Sequence, residues 1–171
     1  MSDESPQPAP FPSQGRIAAV DYGTVRIGVA VCDPDRIIAS PLTVVPQGAA
    51  EQRGKAFCQL AAEERIAGWI VGFPIHLSGT ESKKSIEARK FAKWLQQTTD
   101  LPVRLFDERF STAAADQRLA PSKLTNKGRK KRIDAVAAQV LLESFIESAR
   151  HRSDLPGLAL DEKAIGDAIE D

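Results

Sequence analysis

The chain has 171 residues, 42% of them hydrophobic, enough for one domain with a true core and few for two. Lys plus Arg and Asp plus Glu both number 23, so the net charge of zero gives no global attraction to nucleic acid or to a membrane, and any electrostatic function must come from local clustering. The two cysteines, Cys32 and Cys58, match neither zinc nor CxxC spacing, and the acidic, Pro-rich start and lack of a long apolar run lead us to expect neither secretion nor membrane insertion.

In chain order, residues 1–15 are rich in Pro, Ser and Gln and read as a disordered tail. Arg16 to Val20, Arg26 to Cys32 and Ile37 to Val45 read as three antiparallel strands, the last two joined by the Asp33-Pro34-Asp35 turn. The spacing of Phe57, Leu60, Ala61 and Ile66 predicts a helix over 49–67, and Gly68 to Phe73 is a continuous apolar run suited to a buried parallel strand. A second helix over 81–97 would turn Ile86, Phe91, Trp94 and Leu95 to the sheet, and Leu101 to Phe106 supplies a fifth strand. Ser111 to Leu119 reads as a short helix, 121–132 as a basic loop and Ile133 to Arg150 as a final amphipathic helix. Residues 151–171 read as an acidic tail. The order predicts an α/β domain over 16–150, a mixed five-stranded sheet of three antiparallel strands then two parallel ones, flanked by helices.

Three carboxylates stand where this topology would gather them. Asp21 ends the first strand, Glu108 lies just past the fifth, and Asp134 falls in the first turn of the last helix. Each also has an ordinary role available: Asp21 as a turn former, Glu108 as a solvated loop acid or helix cap, Asp134 as a partner of the helix dipole. Their combination is more telling, because loops following parallel strands gather at one sheet edge. Acids so crowded repel one another unless they bind a hard cation such as Mg²⁺ or Mn²⁺, and two such ions can hydrolyse a phosphodiester.

The charge pattern suits a phosphate-bearing substrate: Arg118, Lys123, Lys127, Arg129, Lys130, Lys131 and Arg132 share a stretch with no acid from Leu119 to Ile133. Arg109 could add a guanidinium clamp. The loop ending in Ser78, Gly79 and Thr80 enters a helix, so its N–H groups could receive a phosphate. His76 in that loop stays outside the catalytic set, and Trp69 and Trp94 fit core positions better than base-stacking ones.

Val20-Asp21-Tyr22-Gly23-Thr24 through Arg26-Ile27-Gly28-Val29-Ala30, Val71-Gly72-Phe73-Pro74 with Gly79-Thr80, Asp107-Glu108-Arg109, and Lys131-Arg132-Ile133-Asp134 with Ala137-Ala138 closely resemble the YqgF family over residues 16–147. These are pre-16S rRNA nucleases also described as Holliday junction resolvase-like. The resemblance implies an RNase H-like fold, a cytoplasmic setting, trimming of the 5′ end of precursor 16S rRNA, and metal binding by Asp21, Glu108 and Asp134. Precursor rRNA is then the favoured partner, with branched DNA as an alternative and the oligomeric state open. Phe73, His76 and Ser78 depart from the family's usual Leu, Asn and Asp, which spares the three acids and puts substrate contacts by that loop in question. Two rivals remain: an actin-like ATPase, suggested by Asp21 to Thr24 with Gly28 but lacking a second domain in so short a chain, and a nucleic-acid-binding module without catalysis.

Overall fold

The computed structural model describes residues 10–74, 82–107, 126–152 and 154–160, of which 126–132 are described in backbone only. Among the described residues, six strands form one sheet in the order β3-β2-β1-β4-β5-β6. Strands β1 (Arg16–Tyr22), β2 (Arg26–Cys32) and β3 (Ala39–Pro46) are consecutive and antiparallel, while β4 (Ile66–Phe73) and β5 (Val103–Asp107) run parallel to β1. The crossovers are made by α1 (Ala50–Glu63) and α2 (Lys83–Thr99), and a 26-residue helix, α3 (Asn126–His151), precedes β6 (Leu158–Ala159).

The alternation of each strand divides the core in two. Ala18, Val20, Ile27, Val29, Trp69 and Val71 pack with Phe57 of α1 and Phe91 and Leu95 of α2. Their strand neighbours Ile17, Ala19, Ala30, Cys32 and Ile70 face the other way, onto Ala138, Leu141, Leu142 and Phe145 of α3. β1 and β4 are apolar on both faces because helices cover both. Trp69 is fully buried, as its sequence position predicts, and its indole N–H donates to Thr99 Oγ1 at 3.1 Å. Ser82 starts α2 through a reciprocal capping box with Ser85, each side chain accepting the other's backbone N–H.

The structure corrects the sequence reading in several places, and one is Ile66, expected in the first helix, which instead begins β4. The sheet has six strands rather than five, because Leu158 and Ala159, expected in an acidic tail, pair antiparallel with β5. Residues 10–15, expected in a disordered tail, lie against the domain: Phe11 packs edge-on to Phe145, and Arg36 donates to the carbonyls of Pro12 and Gly15. Ile86 is exposed, since α2 buries Ser85, Ala88, Phe91, Ala92 and Leu95 instead. The last helix begins at Asn126, so residues 126–132 are helical rather than loop. Lys and Arg are good helix formers, and one glycine, Gly128, is too weak a breaker to stop a helix anchored by its downstream apolar stripe. The expected short helix over 111–119 lies outside the described residues.

Candidate metal and nucleic-acid site

Because β1, β4 and β5 are parallel, their C-terminal ends share one edge of the sheet, where Asp21, Phe73 and Asp107 stand. Asp21 continues the alternation of Ile17 and Ala19, which places it on the α3 face of β1. Its register partner on β2 is Gly28, a separation of about 5 Å between neighbouring antiparallel strands.

Gly28 is the point where α3 meets this edge. A β-carbon built on it would lie 2.0 Å from the carbonyl oxygen of Asp134 and 3.0 Å from the amide nitrogen of Ala135. No side chain fits there, and its lack lets the helix backbone rest directly on the strand. The structure thus brings the Asp134 backbone against the residue paired with Asp21, although 113 positions, 134 minus 21, separate the two acids in sequence. Asp134 is not in the first turn of its helix, as its sequence setting suggests, but eight residues in. The helix-dipole explanation therefore fails, because that effect fades within the first turn.

Arg26, at the start of β2, donates from Nε to Asp134 Oδ2 at 2.9 Å, with the two side chains 22% and 28% exposed. The sequence reading missed this arginine as a site residue. It had a signal: residues two apart in a strand share a face, and Arg26 is two from Gly28.

Glu108, Arg109, Ser78, Gly79, Thr80 and His76 lie outside the described residues, as do the side chains of Lys127, Arg129, Lys130, Lys131 and Arg132. The backbone of 127–132 occupies the first two turns of α3, immediately ahead of Asp134. Among the described residues no group of three acidic, histidine or cysteine side chains is gathered closely enough to hold a metal ion. Of the three acids, Asp21 and Asp134 lie among the described residues and Glu108 does not. No helix among the described residues is long and apolar enough to cross a membrane.

The family model described as RuvX, Holliday junction resolvase, matches residues 15–148. A Rhodopirellula baltica protein bearing the provisional name pre-16S rRNA nuclease is 56% identical over 161 residues, covering 94% of this chain and 93% of that one. A Corynebacterium jeikeium protein of the same name is 34% identical, covering 88% and 97%. Among solved structures, the fowlpox virus resolvase in complex with Holliday junction DNA superposes with a TM-score of 0.51 over 78% of this chain and 98% of that one, at 14% identity, which shows a shared RNase H-like fold. The chain therefore belongs to the RuvX family, to which the YqgF-like motifs pointed, and is a nuclease, a hydrolase of phosphodiester bonds.

Proposed function

We propose that this chain is a cytoplasmic metal-dependent nuclease that trims the 5′ end of precursor 16S rRNA, with Asp21, Glu108 and Asp134 holding Mg²⁺ or Mn²⁺. The observation that carries the reading is the convergence of Asp21 and Asp134 on Gly28 at the C-terminal edge of the parallel strands. Glu108 follows β5 directly in sequence, and β5 ends at this same edge. The donor set fits the ion: carboxylate oxygens are the hard donors that Mg²⁺ and Mn²⁺ take. When bound, such ions supply acidified water for attack and neutralise charge at the leaving oxygen.

The rest falls to the chain's own residues. Lys127, Arg129, Lys130, Lys131 and Arg132, in the turns before Asp134, bind substrate phosphates by charge, and Arg109 adds a guanidinium beside Glu108. Ser78, Gly79 and Thr80, between β4 and α2, contribute further phosphate contacts. The names of the relatives favour RNA as substrate. The family description favours a second reading, cleavage of branched DNA.

The test is to incubate wild type and Asp21→Asn with labelled precursor RNA and a four-way DNA junction, in Mn²⁺ or chelator, and map the cuts. The expected result is metal-dependent RNA cleavage at the precursor 5′ end, abolished in the variant. Junction cleavage alone would transfer the assignment to DNA, and equal cleavage by both proteins would overturn the metal site.

A further inference from the structure

Arg26 lies closer to this chemistry than a surface ion pair would. It shares the α3 face of β2 with Gly28, so two neighbouring positions of one strand grip the same helical residue: Gly28 admits the backbone of Asp134 and Arg26 bonds its carboxylate. The backbone that presents Arg26 is braced on both sides. A β-carbon on Gly23 would lie 2.4 Å from the Arg26 carbonyl oxygen, which keeps the β1–β2 turn tight. Gln47 closes the same turn, its backbone N–H donating to the Val25 carbonyl and its Nε2 to the Gly23 carbonyl, while Arg53 donates to Gln47 Oε1. Arg26 itself stands in register with Pro46 on β3.

The bond to Arg26 occupies one oxygen of Asp134, and no described residue bonds the other. An aspartate on a partly exposed helix face samples several rotamers, and an ion that needs one of them must meet the cost of selecting it. A donor fixed on the neighbouring strand makes that selection in advance, as outer partners of metal ligands commonly do.

We infer that Arg26 is a positioning residue for Asp134: its Nε–H holds the carboxylate in the rotamer that receives the divalent ion. This rests on the metal-binding reading of Asp21, Glu108 and Asp134 given above. It assigns Arg26 no contact with substrate.

The experiment measures Mn²⁺ binding to the full chain by electron paramagnetic resonance of the free ion, for wild type, Arg26→Ala, Arg26→Lys and Asp134→Asn. Melting in chelator confirms that each is folded at the assay temperature. Loss of an outer partner costs about tenfold or more in metal affinity, so Arg26→Ala should bind at least that much more weakly. Arg26→Lys, which keeps the charge but not the planar Nε–H, should fall between Arg26→Ala and wild type. At saturating Mn²⁺ the KM for RNA should be unchanged in both, since neither alters a substrate contact. Binding by Arg26→Ala equal to or tighter than wild type, with Asp134→Asn weakened, would overturn the role of Arg26 and leave the metal site standing. If Arg26→Ala does not fold, wild-type affinity in Arg26→Lys overturns it equally. Undiminished binding by Asp134→Asn would overturn the metal-site reading itself.

Discussion

Gly28 and Asp134 are in backbone contact: the strand residue has no β-carbon, and one placed there would stand 2.0 Å from the carbonyl oxygen of the helical residue. The obstructing atoms are main chain, so they cannot swing aside as a flexible side chain would. Gly28→Ala should therefore displace α3 from the sheet, with a loss of about 3 kcal/mol, the upper end of the usual cost of overpacking. A lowered urea midpoint, with cleavage reduced even where the variant is fully folded, is the expected outcome. An unchanged midpoint would mean that α3 does not rest on β2 at this point.

The turn between β2 and β3 has its own pH signature. Asp33 accepts the amide hydrogens of Ile38 and Ile37, each at 2.7 Å, and these bonds hold its carboxyl below the ordinary 3.8. The ionised form is thus favoured by folding, so the stabilisation is complete above the unfolded value and disappears as pH falls through the lower folded one. The gap in urea midpoint between wild type and Asp33→Ala should be constant at neutral pH and narrow below about pH 4. A gap that widens on acidification would contradict the assignment. Asp33 is partly exposed and bonds only amides of its own turn, so the effect is local to this turn.

How much of this was legible in the sequence depends on what kind of force fixes each part. The strands β1, β2 and β4 and the two-sided core could be read because Ile17 to Val20 and Gly68 to Phe73 are apolar at every position, which suits strands covered on both faces. The phase of α2 could not, because Ile86 and Phe91 are both apolar and tertiary contact alone decides that Ser85 is buried and Ile86 is not. β6 was hidden for a related reason. Two residues carry no periodic signal, and what fixes them is distant: Arg104 donates to the carbonyls of Leu155, Pro156 and Gly157, and Arg89 to that of Leu160. Of the site, the motif positions of Asp21 and Asp134 were visible, while the tie from Arg26 to Asp134 spans 108 positions and no local pattern announces it.

The basic residues at the start of α3 give a salt-dependent prediction. If Lys130 and Lys131 neutralise phosphates of a single strand, each lost contact lowers the slope of log affinity against log salt by about 0.7. Lys130→Ala with Lys131→Ala should then weaken RNA binding most at low salt, and the decline should be similar for RNAs of different sequence, since phosphate contacts carry no sequence information. Fluorescence anisotropy across a salt series reads both features. An unchanged slope would place the substrate elsewhere.

Gly157 tests whether β6 belongs to the domain energetically as well as geometrically. Its φ of +83° lies in the left-handed region, and a β-carbon there would stand 2.1 Å from the carbonyl oxygen of Leu105 on β5. Gly157→Ala therefore carries two costs, about 1 kcal/mol or more for the backbone conformation and a further share for the clash with main chain. The relief available is for residues 155–160 to leave the sheet. That would bare the edge of β5, which faces solvent only if β6 is absent, and an unpaired edge invites pairing with another chain. Hydrogen exchange at Leu158 and Ala159 should accelerate in the variant, and the Leu105 region of β5 should follow more weakly, because β4 still pairs with its other side. Light scattering at rising concentration should show self-association of the variant at concentrations where wild type is unchanged. If exchange at β5 is unaltered, the strand is held by β4 alone, and β6 is an accessory cover rather than part of the cooperative unit.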